Sequence, residues 1–170
     1  GNDNWGDQAR IGMFIVGNEA VPEAEWWAMA PPKVSVHAAR VTASAPWAGW
    51  RDNRSGVDLS DDLIRGSQQF AAMRLSVAVI GHSSSSFLGG KGWDEAVVDS
   101  LSENLGPNII ATTNGLDTVA ALQASGVRRP FLIMPPWYND EIVEGGIHYY
   151  EDHGFEPSGH LSFDPGSKWR

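Results

Sequence analysis

The chain has 170 residues, 42% hydrophobic and 19% charged, with no cysteine and a formal net charge of −9. That mix excludes a disordered or fibrous chain and supplies apolar material for a sizeable core; it also removes disulfides, thiolate metal sites and a cysteine nucleophile. A nucleic-acid surface would need clustered Lys and Arg, no apolar run reaches the ~18 residues of a membrane span, and no basic-then-apolar leader opens the chain. The expectation is therefore a soluble, cytoplasmic protein with neither a nucleic-acid nor a membrane partner.

The first predicted element is the apolar run Ile11 to Val16, stopped at Gly17 and too short for a buried helix, which reads as a central parallel strand. Ala24 to Ala30 is a short helix, with Pro22 near its start and Glu23 and Glu25 in a first turn that favours negative charge. Val34 to Val41 alternates after Pro31-Pro32 and reads as a second strand. Trp47 and Trp50 are expected to pack on a loop or cap a cleft. Ser60-Asp61-Asp62 opens a helix to about Arg74, with Leu63, Ser67, Phe70 and Ala71 on one side. Leu75 to Ile80 is a buried strand, followed by a polar loop from Gly81 to Gly90.

The alternation continues with a helix from Asp94 to Leu105, stopped by Gly106-Pro107, and a strand from Asn108 to Thr112. Leu116 to Ser125 is a helix closed by Gly126, and Phe131 to Met134 a buried-type strand broken by Pro135-Pro136. Asp140 to His153 is a helix weakened by Gly145-Gly146, and Gly159 to Phe163 a last short strand. Strands alternating with helices predict an α/β fold built of parallel-sheet βαβ units, covered on both faces.

In such sheets ligands bind at the strands' C-terminal edge, where Ile80-Gly81-His82-Ser83-Ser84-Ser85-Ser86 lies. His82, with an unperturbed pKa of about 6.5, has the chemistry of a general acid or base, or of a histidine hydrogen-bonded to the loop backbone. Ser83, Ser84 and Ser85 can donate O–H and N–H to a carboxylate. A serine nucleophile is the weaker reading, because no G-x-S-x-G elbow is present. Gly89-Gly90-Lys91-Gly92 lacks the spacing of either glycine-rich nucleotide motif and reads as a turn. His148 and Asp152, at i and i+4, lack a third metal ligand, and His37 reads as structural. No metal or cofactor is expected.

Ile11 to Val41, with Glu23-Ala24-Glu25-Trp26-Trp27-Ala28-Met29-Ala30-Pro31-Pro32, resembles the opening of maleate cis-trans isomerases, relatives of arylmalonate decarboxylase in the Asp/Glu racemase superfamily. The segments Gly81 to Gly90, Thr112-Thr113, Gly126-Val127-Arg128-Arg129 and His153-Gly154-Phe155-Glu156 recur in the same order. The resemblance implies two similar α/β lobes with a cleft between them, here an N-terminal lobe over 1–115 and the start of an incomplete second lobe over 116–170. It implies cofactor-independent chemistry on the carbon beside a small substrate carboxylate, in a protein that could be a homo-oligomer.

The same resemblance sets His82 where the first lobe usually carries a cysteine. It places Asn18 and Glu19 at the motif that usually brings an Asn to the carboxylate, and Glu19 could there be a buried acid or base or a solvated loop carboxylate. Thr112 and Thr113 match hydroxyl-bearing substrate positions, and Trp137 or Tyr138 matches a tyrosine. The implied activity is that of a maleate isomerase-like enzyme acting on an unsaturated or activated dicarboxylate through His82 and Glu19. Loss of the first thiol opens two alternatives, an arylmalonate-type decarboxylase and a catalytically silent carboxylate-binding protein. A subunit completed by a partner is a further possibility.

Overall fold

A computed structural model describes residues 5–164 and 166. Strand β1 (Ala9–Val16) pairs in parallel with β2 (Val34–Val41) on one side. Helix α1 (Val21–Met29) connects the two and holds Trp26 against Met13, Ile15, Val36 and Val79. Helix α2 (Asp61–Ala72) precedes β5 (Val77–Ile80), which pairs with the other edge of β1. β6 (Ile110–Thr113) completes a four-stranded parallel sheet of order β2-β1-β5-β6. Its other face carries the main core, in which Phe14, Phe70, Ile80, Val97 and Leu101 are fully buried under α2 and α4 (Trp93–Leu105). The predicted two-sided covering holds for this sheet.

Two stretches differ in secondary structure from the sequence expectation. The segment around Trp47 forms a small antiparallel hairpin, β3 (Ala48–Trp50) with β4 (Val57–Leu59), joined through a 3-10 turn at Asp52–Arg54. The polar segment after β5 is a loop for only two residues, because Ser83–Gly89 is helix α3. Serine has modest helix propensity, and α3 is held by its surroundings. Ser85 Oγ accepts from the Trp47 amide at 3.0 Å, and Ser86 Oγ donates to buried Asp94 at 2.7 Å. The indoles of Trp50 and Trp93 donate to the carbonyls of Gly89 and Ala48 at 2.8 and 2.9 Å. Gly89 has no room for a side chain, since a Cβ there would lie 2.1 Å from the Trp93 ring.

After α5 (Asn114–Ala124), β7 (Phe131–Met134), α6 (Asp140–Asp152) and β8 (Gly159–Ser162) form a separate parallel pair with its own βαβ unit. β7 is not the fully buried strand that its composition predicts. Leu132 and Met134 are buried, but Phe131 and Ile133 are 56% and 71% exposed, on the face they share with Leu161. Helix α6 packs against α3 through Phe87, Tyr149 and Tyr150. Tyr149 donates to Asp94 Oδ2 at 2.6 Å, so one carboxylate gathers α3, α4 and α6. Among the described residues no helix is long and apolar enough to cross a membrane.

Candidate functional site

β1, β5 and β6 run parallel, so the segments that follow them meet at one edge of the sheet. His82 leaves β5 in extended conformation and stands before the first turn of α3. Its ring stacks on Trp47, with centroids 4.1 Å apart and planes 8° from parallel. Nδ1 lies 2.8 Å from Ser85 Oγ and Nε2 3.1 Å from Ser84 Oγ, so both nitrogens have a serine partner. Burial between the indole and the sheet disfavours the charged ring and lowers its pKa to about 4. His82 is therefore a neutral imidazole at physiological pH, bonded to serine side chains and not to the loop backbone that the sequence offered as the alternative.

Ser83 Oγ accepts from Asn114 Nδ2 at 3.0 Å. The Tyr138 hydroxyl closes the group. Burial raises its pKa and the nearby Glu19 charge adds to the rise, while hydrogen bonding from Ser84 and Ser83 opposes it. Beside these groups lies a cavity of about 320 Å³. Its polar rim is Ser83, Thr118 and the two tyrosines, Tyr138 and Tyr150; its walls are apolar, with Phe87, Leu122, Phe131 and Met134 among them, and no charged side chain lines it.

The other expected site residues separate from this cluster to different degrees. Asn18 and Glu19 are exposed in the loop after β1, where the Glu19 carbonyl accepts from Arg40 Nη1 at 2.7 Å. Glu19 is thus a solvated loop carboxylate rather than a buried acid. Thr113 is fully buried and caps α5, its Oγ1 accepting from the Leu116 amide at 3.1 Å. Thr112 donates to Asp117 at 2.8 Å. Neither threonine lines the cavity. Of the pair Trp137 and Tyr138, Trp137 is 73% exposed and Tyr138 lines the cavity. His37 bonds to Ser35 Oγ at 2.8 Å, and His148 contacts Glu151 rather than Asp152. Among the described residues no group of three or more His, Asp or Glu is placed to hold a metal ion.

Sequence reasoning missed Asn114, the residue after the flagged Thr112-Thr113 pair. Its position at a strand's C-terminal end was the available signal. It also missed the buried triad of Ser86, Asp94 and Tyr149, whose members lie far apart in the chain and carry no shared motif.

The class defined by this geometry is a parallel α/β protein with a hydroxyl-lined pocket at the strand C-terminal edge, built mainly on one sheet and closed by elements of a second. Solved structures of two kinds of enzyme share its fold. The chain superposes on a mutant of arylmalonate decarboxylase in a sulfate-associated form with a TM-score of 0.68 at 19% identity, covering 94% of this chain and 64% of that one. For a maleate isomerase variant from Pseudomonas putida S16 with maleate the TM-score is 0.70 at 17% identity, over 91% and 64%. For Nocardia farcinica maleate cis-trans isomerase bound to TRIS it is 0.69 at 18%, over 91% and 63%. No protein-family model and no curated protein matches the chain. The chain has the fold of these enzymes and spans about 64% of their length.

Proposed function

We propose that this chain carries the carboxylate-binding part of a cofactor-independent enzyme acting on a small unsaturated or activated carboxylate. The observation that carries this is the convergence of the Ser83, Ser84 and Tyr138 hydroxyls at the sheet's C-terminal edge, beside a cavity without a charged side chain. Hydroxyl donors suit an ionised carboxylate held with its neighbouring carbon facing the cavity. The apolar walls favour a substrate with an aryl or alkyl group over maleate itself, and so lean from the isomerase type towards the decarboxylase type named among the similar structures. A panel of maleate, phenylmalonate and alkylmalonates followed by proton NMR tests this. Turnover of a substituted malonate that is lost in Ser84→Ala supports the reading; no turnover or binding of any member contradicts it.

A second reading is a carboxylate-binding protein without turnover. The engagement of both His82 nitrogens favours it, because a ring with no free lone pair has no ready acceptor for a substrate proton. Ligand stabilisation against heat with no exchange of substrate protons for deuterium would select this reading over the first.

A further inference from the structure

The identity of each donor around His82 follows from hydrogen-bond accounting, since buried polar groups are satisfied and a neutral imidazole has one donor and one acceptor. Ser85 is fully buried. The Trp47 amide, 3.0 Å away, can only donate to Ser85 Oγ, so the Ser85 O–H proton goes to the remaining partner, His82 Nδ1 at 2.8 Å. Nδ1 is then the acceptor and Nε2 carries the proton. Nε2–H donates to Ser84 Oγ at 3.1 Å, which turns the Ser84 O–H away from the ring and towards Tyr138. Stacking on Trp47 at 8° holds the ring plane that this chain of bonds requires.

The neighbouring serine is arranged in the same sense. Asn114 Nδ2 donates to Ser83 Oγ at 3.0 Å, so the Ser83 O–H also points away from its donor. The Asn114 amide is oriented with Oδ1, a buried acceptor, as the unpartnered atom. The reverse orientation would bury unpartnered N–H groups, which native structures tolerate less.

We propose that Trp47 N–H, Ser85, His82 and Asn114 form a one-way hydrogen-bond relay that turns the Ser83 and Ser84 O–H groups towards Tyr138 and the ligand as donors, which favours an ionised carboxylate, the stronger acceptor, over its neutral ester or amide. This rests on the carboxylate reading above. It makes His82 and Asn114 positioning residues that act through the serines. Each serine oxygen already accepts one hydrogen bond, so its own O–H is the group turned towards Tyr138 and the ligand.

The test has a ligand-free arm and a ligand arm. In 15N-labelled protein at neutral pH, long-range imidazole spectra are expected to show His82 with a protonated Nε2 and an unprotonated Nδ1; a protonated Nδ1 overturns the relay. In Ser85→Ala that tautomer preference is expected to be lost while the fold, read by amide spectra, persists. In the ligand arm, phenylmalonate and its diethyl ester are titrated into wild type, Asn114→Asp, His82→Ala and His82→Gln. Asn114→Asp can only accept from Ser83 and repels the anion, so phenylmalonate affinity is expected to fall about tenfold or more. His82→Ala is expected to show a similar loss, and His82→Gln, which keeps an N–H donor, to recover part of it. Equal affinity of acid and ester, or of wild type and Asn114→Asp, overturns the proposal. Failure of wild type to bind phenylmalonate with the Nε2–H spectrum intact overturns the ligand assignment and the functional reading, not the relay.

Discussion

The two sheets contain the same βαβ unit in different surroundings. In the first, β1-α1-β2, the leading strand has a neighbour on each edge, and its residues Met13, Phe14 and Ile15 are buried towards both faces. In the second, β7-α6-β8, the leading strand pairs with β8 alone among the described residues, and alternate residues of β7 are exposed. Similar strand sequences, Met-Phe-Ile-Val and Phe-Leu-Ile-Met, thus have different burial, because burial is decided by what packs on the sheet and not by the strand's own composition. The site follows this division. His82, the serines and Asn114 stand on the well-packed sheet, whereas Tyr138, Tyr150 and much of the apolar wall come from the segments around the second.

The largest effect expected from this contrast is on stability. Phe14→Ala removes a fully buried ring packed on Phe70 at a centroid distance of 5.0 Å and should cost about 3–5 kcal/mol in urea unfolding. Ile133→Ser, on the outward face of β7, should change stability by no more than about 0.5 kcal/mol. A loss at Ile133 comparable with that at Phe14 would break the comparison, because it would mean that the outward face of β7 is covered in solution.

The link between the sheets comes next. Tyr149 is deeply packed, and burial beside the Asp94 carboxylate raises its pKa far above the usual range, so it remains a neutral donor to that carboxylate. Tyr149→Phe leaves Asp94 with the Ser86 hydroxyl as side-chain donor and should cost about 2 kcal/mol. Hydrogen exchange should then accelerate in β7 and β8 more than in β1 and β5.

A third effect sharpens the account of the first sheet's edge. The folded-state pKa of His82 is depressed from 6.5 to about 4, so its neutral form stabilises the fold above pH 6.5, and that contribution is lost as pH falls through 6.5 to 4. The loss should amount to on the order of 2–3 kcal/mol by pH 4. Burial and the charge of Arg10 lower the pKa of His37 too, which adds a slope of the same sign. The difference between wild type and His82→Gln in unfolding at pH 7 and pH 4.5 isolates the His82 part. Asp62 should show the smallest effect. Hydrogen bonds from Thr42, with Arg65 adjacent, hold its carboxyl at about 2, and its contribution is lost only as pH falls below 3.8. Asp62→Asn should remove this slope in an acid titration and lower stability at pH 7, where the contribution is fully present, more than at pH 2.

The first sheet was largely legible in the sequence because its signals are local: an apolar run closed by glycine in β1, alternation after a proline pair in β2, and Ser60-Asp61-Asp62 before α2. The β3–β4 hairpin was not legible. Its three-residue strands are shorter than any periodicity can reveal, and Asn53 and Arg54 turn with positive φ where no Asn-Gly or Asp-Gly pair announces it. Helix α3 was hidden for the opposite reason, since a serine run reads as a loop until the tertiary partners of each hydroxyl are known. His82 and its serines were found from their place at a strand end. Their roles depend on Trp47, Asn114 and Tyr138, which are distant in sequence and become partners only in the fold.

The central claim is that the Ser83, Ser84 and Tyr138 hydroxyls seat a carboxylate. The most direct measurement is a titration of phenylmalonate into 15N-labelled wild type, Ser83→Ala and Ser84→Ala, followed by amide shifts and fitted affinities. The account predicts that wild-type shifts cluster at α3, Asn114 and Tyr138, and that each alanine variant binds about tenfold or more weakly. Shifts that cluster instead around Arg10 and Arg74, at the cavity shared with His37 on the far side of the molecule, with no loss in either variant, would contradict it.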